Sequence, residues 1–119
     1  MSRIALLVAG LVAALALAAP IGATSSVTKL TGTVGPGFTI TLKKGTAKVK
    51  TLKAGSYKIT VNDKSNIHNF HLKGPGVNKI ITATPFKGTK TVTVKLKKGT
   101  YKYVCDPHAS FMHGSFKVT

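Results

Sequence analysis

The stretch Tyr101-Lys102-Tyr103-Val104-Cys105-Asp106-Pro107-His108-Ala109-Ser110-Phe111-Met112 decides the reading of this chain. Its first five residues alternate. Tyr101, Tyr103 and Cys105 share one side of an extended backbone, and Lys102 and Val104 take the other, as in a half-buried β-strand. The strand ends at the cysteine. The loop that follows brings a thiolate, an imidazole and a thioether (Cys105, His108 and Met112) within eight residues. Pro107 stiffens that loop and removes one backbone N–H donor. Cys105 is the only cysteine of the 119 residues, so it has no internal disulfide partner. A lone cysteine of this kind reads as a free thiol, an intermolecular bridge or a metal ligand.

The same alternation extends outward from this stretch. Phe38, Ile40 and Leu42 alternate with Thr39, Thr41 and Lys43; Tyr57, Ile59 and Val61 with Lys58, Thr60 and Asn62; Val92, Val94 and Leu96 with Thr91, Thr93 and Lys95. Phe116 and Val118 continue the pattern. Breaks fall at Gly35-Pro36-Gly37, Lys43-Lys44-Gly45, Lys53-Ala54-Gly55, Gly74-Pro75-Gly76 and Lys97-Lys98-Gly99. No segment after residue 23 shows a helical apolar face. Seven or eight short strands at this spacing predict an all-β, antiparallel β-sandwich. The phrase Leu-Lys-Xaa-Gly-(Ser/Thr)-Tyr-Lys occurs twice, at Leu52 to Lys58 and Leu96 to Lys102, and predicts one turn design used at two sandwich edges.

Residues 1–23 read differently. Met1-Ser2-Arg3 carries the only arginine, an uncharged apolar run follows from Ile4 to Ala19, and small residues close it at Ile21-Gly22-Ala23. That is the pattern of a signal peptide. Cleavage after Ala23 fits best, with Ala18 as the alternative. An uncleaved anchor is the competing reading, but the run falls short of the ~20 apolar residues of a membrane span. Residues 24–119 then form one domain working outside the cytoplasm, in a periplasm or at a cell surface.

Charge is the other strong signal. Eighteen basic residues stand against two acids; without Arg3, 17 lysines face Asp63 and Asp106, a formal charge of +15. Such a field attracts anionic partners. Acidic proteins, an anionic envelope polymer and an anionic lipid surface all qualify. Nucleic acid is not expected: the domain has no arginine for bidentate phosphate or guanine contacts and no recognised binding motif. Two acids leave no carboxylate pair for glycosidase chemistry. Lysines on outward strand faces also protect sheet edges and keep a protein soluble.

Four histidines are available, at 68, 71, 108 and 113. His68 shares strand parity with Phe70 and Leu72, so it points inward; His71 shares parity with Asn69 and points outward. An inward His68 can meet Cys105, His108 and Met112. Two imidazoles, one thiolate and a weak thioether suit copper. Structural zinc prefers four Cys or His ligands without methionine. A Cys105–His108 nucleophile with Asp106 behind it has no evident oxyanion hole or substrate pocket, so an enzyme is not expected.

The elements His68-Asn69-Phe70-His71-Leu72 and Tyr101 to His108, with Met112 and Gly114, together resemble the cupredoxin family, the plastocyanin, amicyanin and pseudoazurin group in particular. The resemblance covers Phe38 to Val118. It implies a two-sheet Greek-key sandwich with one type 1 copper ion at one end. It implies that His68, Cys105 and His108 are the strong ligands and Met112 the axial one. Asn69 would tie its loop to the Cys105 loop and set a backbone N–H on the sulfur, an outer-sphere role of the usual kind. Asp106 and Pro107 would border the metal as well. Three residues separate His108 from Met112, where amicyanin-like loops have two and plastocyanin-like loops four. Asp106 stands where these families usually carry Ser or Thr. The function implied is a monomeric one-electron carrier between redox proteins. The alternative is an extracytoplasmic protein that buffers or delivers copper.

Overall fold

The computed structural model describes residues 26–119, and the signal-peptide reading of residues 1–23 lies outside them. Ten strands follow in chain order: β1 (Thr28–Val34), β2 (Ile40–Lys44), β3 (Ala47–Lys48), β4 (Thr51–Leu52), β5 (Gly55–Asp63), β6 (Phe70–Gly74), β7 (Val77–Thr82), β8 (Gly88–Leu96), β9 (Gly99–Val104) and β10 (His113–Val118). One short 3-10 turn, Asp106–His108, interrupts the connection from β9 to β10. The strands form two five-stranded sheets, ordered β3-β2-β1-β5-β8 and β4-β10-β9-β6-β7.

The all-β sandwich is the architecture that the alternation predicts. Two details differ. Ten strands replace seven or eight because β3 and β4 are two-residue edge pieces, too short to show a period. Two pairings, β1 with β5 and β4 with β10, are parallel, while the remaining pairs are antiparallel. Parallel neighbours need a crossover between them, which hydrophobic period alone does not reveal.

The inward positions build the core between the sheets. Tyr57, Ile59 and Val61 of β5, Val94 and Leu96 of β8, Tyr101 and Tyr103 of β9, and Phe116 and Val118 of β10 are all buried. Aromatic rings fill much of the space: Phe70 stacks on Tyr103 at 5.7 Å between centroids, and Tyr101 on Phe116 at 5.4 Å. Gly114 lies opposite Tyr103 in the β9–β10 ladder, and its missing side chain leaves the room that the Tyr103 ring fills. Phe38 breaks the expected alternation. The strand begins at Ile40, and Phe38 stays in the loop after the Gly35-Pro36-Gly37 turn, 58% exposed.

Both copies of the repeated phrase adopt one local design. Gly55 and Gly99 have φ of 152° and 144°, values that side chains rarely tolerate. Each following tyrosine folds back on its own turn. The Tyr57 hydroxyl donates to the Lys53 carbonyl at 2.6 Å, and the Lys97 N–H donates to the Tyr101 hydroxyl at 2.9 Å. Gly55 pairs with Leu96, so the two turns are neighbours at one pole of the sandwich.

Candidate metal centre

The opposite pole gathers the chemistry. There β5 gives way to the loop that carries His68 and Asn69, and β9 gives way to the loop from Cys105 to Met112. Backbone hydrogen bonds shape the second loop. Cys105 N–H donates to the Met112 carbonyl at 3.0 Å and closes its base. The His108 carbonyl accepts from both Phe111 N–H and Met112 N–H, at 3.1 and 2.9 Å. This wraps Ala109, Ser110 and Phe111 into a tight turn, which accommodates the three-residue spacing and buries Met112. Pro107 sits in the first turn of the 3-10 element, where its fixed φ and missing N–H cost nothing.

Three donor atoms converge. His68 Nδ1 lies 3.1 Å from His108 Nδ1, and Cys105 Sγ lies 3.6 Å from each. Ligands at ~2.0–2.1 Å for nitrogen and ~2.3 Å for sulfur around a near-tetrahedral centre stand roughly 3.3 and 3.6 Å apart, so the three side chains have the spacing of a metal site. His68 and Cys105 are fully buried, whereas His108 is half-buried. His68 Nε2 is buried and makes no hydrogen bond, so the ring's polar engagement runs through Nδ1 into the cluster. Among the described residues, His68, Cys105 and His108 are the one group of His, Cys or acidic side chains with this convergence.

A second network braces the cluster. Asn69 is buried and spans the two loops: its Nδ2 donates to Asp106 Oδ2 at 2.8 Å, and its Oδ1 accepts from Asp106 N–H at 2.7 Å. Asn69 thus ties the two loops together, whereas, among the described residues, the backbone N–H expected on the Cys105 sulfur is not one of that sulfur's hydrogen bonds. Strand parity places Asn69 on the outer face, but it precedes the first strand residue, Phe70, so period two does not govern it. The sulfur's hydrogen-bond partners among the described residues are the two imidazoles. His71 stays out of the cluster, as parity predicts. Its Nδ1 meets Asp106 Oδ2 at 2.9 Å and its Nε2 meets Asn78 Oδ1 at 2.5 Å. Lys73 Nζ adds a looser contact to Asp106 at 3.8 Å. Partial burial pushes the Asp106 carboxyl up. Hydrogen bonds from Asn69 and His71, with the charges of His71 and Lys73, outweigh that and hold it below its ordinary value. His113 is exposed on β10, away from the cluster.

Sequence reasoning missed the aromatic collar. The Phe38 ring stands edge-on to His68 and His108, with centroids at 5.5 and 5.0 Å, and Phe111 lies 5.6 Å from His108. Phe38 and Phe111 are both more than half exposed, and Ile67 is 49% exposed beside His68 in sequence. The available signal was an aromatic residue directly after a Gly-Pro-Gly turn and another inside a ligand loop. Neither has a core position to fill.

A β-sandwich with a His–Cys–His cluster where its loops meet defines a cupredoxin. The sequence pattern of the plastocyanin/azurin family of copper-binding proteins matches residues 39–119, and the chain belongs to that family. Solved structures agree on the fold. The copper protein rusticyanin superposes with a TM-score of 0.55 at 23% identity, over 79% of this chain and 80% of that one. Reduced rusticyanin gives 0.51 at 26% identity, over 79% and 81%. A chain of a haem–copper terminal oxidase dimer gives 0.54 at 22% identity, over 76% of this chain and 63% of that one. No curated protein sequence matches the chain. Family and donor set together fit one copper ion held by His68, Cys105 and His108, and support a blue copper electron carrier in general terms.

Proposed function

We propose that this protein is an extracytoplasmic one-electron carrier in which His68, Cys105 and His108 would hold copper and the buried Met112 would add a weak thioether donor. The observation that carries the reading is the 3.1–3.6 Å convergence of the three donors directly beneath an exposed aromatic collar. A copper ion bound there supplies reversible one-electron chemistry. The protein's part is to hold the donors still. His68 and Cys105 are locked by burial, His108 and Met112 by the hydrogen-bonded turn, and the two loops by Asn69. Asp106 and Pro107 act from just outside, one through its charge and one through its rigid ring. The half-buried edge of His108, framed by Phe38 and Phe111, is the natural contact for a redox protein, because apolar contacts desolvate readily. The net positive charge of the domain speeds encounter with an acidic partner at long range, while the apolar collar fixes where it docks. The leader-like residues 1–23 support a periplasmic or cell-surface location. Burial of His68 and Cys105 speaks against the buffering or delivery alternative, which needs an accessible, exchangeable site.

The test is a Cu(II) titration followed by visible absorption and electron spin resonance. An intense thiolate-to-copper band at one equivalent, lost in Cys105→Ser, is the expected result. Weak binding that Cys105→Ser leaves unchanged refutes the proposal.

A further inference from the structure

Both acids lie towards the metal pole of the sandwich, where Lys64, Lys73, Lys87 and Lys90 also stand, whereas the lysines of the other pole have no acid beside them. Asp63 ends β5 at the metal pole, and Asp106 borders the cluster. The repeated phrase builds the other pole. Its two turns place Lys53, Lys97 and Lys98 there, since Gly55 pairs with Leu96 and Gly99 with Val118. Lys50 adjoins them, its carbonyl accepting from Lys117 N–H at 3.0 Å. Lys44 lines two open grooves, of about 520 and 370 Å³, and Lys48 the second of them; both grooves share Thr51 and Leu52 with this pole. All six lysines are exposed. No acidic side chain lies among them. The nine residues of β5 carry the chain from this pole to the metal pole, a span of ~26 Å at the usual rise per residue.

We propose that this lysine pole docks the protein on an anionic lipid surface and leaves the metal pole facing away from it. An acidic redox partner drawn to these lysines would sit at the wrong end of the molecule, far from His108. A lipid surface has no such conflict. The charges are lysines throughout, compact charges on flexible stems rather than planar forks, which suits many loosely ordered headgroups better than one shaped site. The reading does not depend on copper and is tested on metal-free protein.

The experiment is co-sedimentation of residues 24–119, which hold every strand of the sandwich and lack the leader-like run, with vesicles. Binding to an equal mixture of phosphatidylglycerol and phosphatidylcholine is compared with binding to phosphatidylcholine alone. Two triple variants remove the same charge from opposite poles: Lys53→Gln/Lys97→Gln/Lys98→Gln and Lys64→Gln/Lys87→Gln/Lys90→Gln. Each lysine near an anionic surface is worth about fivefold in affinity, so the first triple is expected to lose roughly a hundredfold and the second much less. The anionic preference of the unaltered chain should also fade as salt rises. Equal losses in both triples overturn the oriented dock and leave a uniform charge effect. No preference for phosphatidylglycerol overturns it outright. Tight binding to soluble polyphosphate without that preference overturns it in favour of a free polyanion.

Discussion

Replacing Asn69 with alanine should loosen the metal pole more than any other single change outside the donors. Two hydrogen bonds disappear. The bond from Asn69 Nδ2 to the Asp106 carboxylate is charge-assisted, a class worth ~1.5–3 kcal/mol, and the bond from Asp106 N–H is neutral, worth ~0.5–1.5 kcal/mol. The Asp106 side chain is 40% exposed, so water recovers part of the first term. The net cost should be about 2 kcal/mol, which lowers the melting temperature of a domain of this size by roughly 10 °C. Thermal unfolding of metal-free protein measures this without any contribution from copper. The decisive comparison repeats Asn69→Ala in an Asp106→Ala background. The backbone N–H at 106 still reaches Asn69 Oδ1 there, but the carboxylate is gone, so the cost should fall to about 1 kcal/mol. Copper affinity should drop about 10–100-fold in Asn69→Ala, since the loops no longer hold His68 and Cys105 in register. The reasoning fails if the single variant melts like the unaltered protein, or if its cost is the same in both backgrounds.

Gly114→Ala drives a methyl group into the Tyr103 ring, which is buried and cannot withdraw, so it should cost about 1–3 kcal/mol. An unchanged melting temperature would show that the ring has room to move. Asp106→Asn removes a carboxylate next to the thiolate ligand and should raise the reduction potential. A change of ~1 kcal/mol corresponds to about 40 mV for one electron, and a fall on potentiometric titration would contradict it. The same carboxyl is held below its ordinary value, so its contribution to stability is complete above about pH 4 and is lost as the pH falls through the folded-state value. Acid unfolding of Asp106→Asn should therefore show a shallower loss below pH 4 than that of the unaltered protein.

Much of this was legible in the sequence because strands and metal ligands both obey short rules. Parity put Tyr101, Tyr103 and Cys105 on one buried face and His71 outside the cluster, as the structure has them; His68 is buried as expected, but it precedes β6, so its loop and not the strand period holds it there. Parity failed where the chain leaves the sheet. Phe38 continues the apolar alternation of Ile40 and Leu42, yet it lies in a loop beside the imidazoles and stays exposed rather than packing into the core. Asn69 shows the same limit from the other side: it is polar but buried, because its partners come from a loop 37 residues away. The parallel β1–β5 and β4–β10 pairings follow from how the chain crosses between sheets, and no local pattern records that.

The placement of the donors along the chain sets the timing of their assembly. A chain delivered from its N-terminus presents His68 early, but β6 pairs with β9, and β9 leads straight into Cys105. The loop from Cys105 to Met112 closes only when β10 has zipped onto β9, from His113 opposite Val104 to Val118 opposite Gly99. The β6–β9 pairing, His71 with Val104 and Lys73 with Lys102, is the non-local contact of the kind that forms late, and β10 is the last strand in chain order. The single thiol therefore stays open to oxidants until almost the last strand is in place. Once the sandwich shuts, Cys105 is out of their reach, so its vulnerable period is the interval before closure rather than the life of the folded protein.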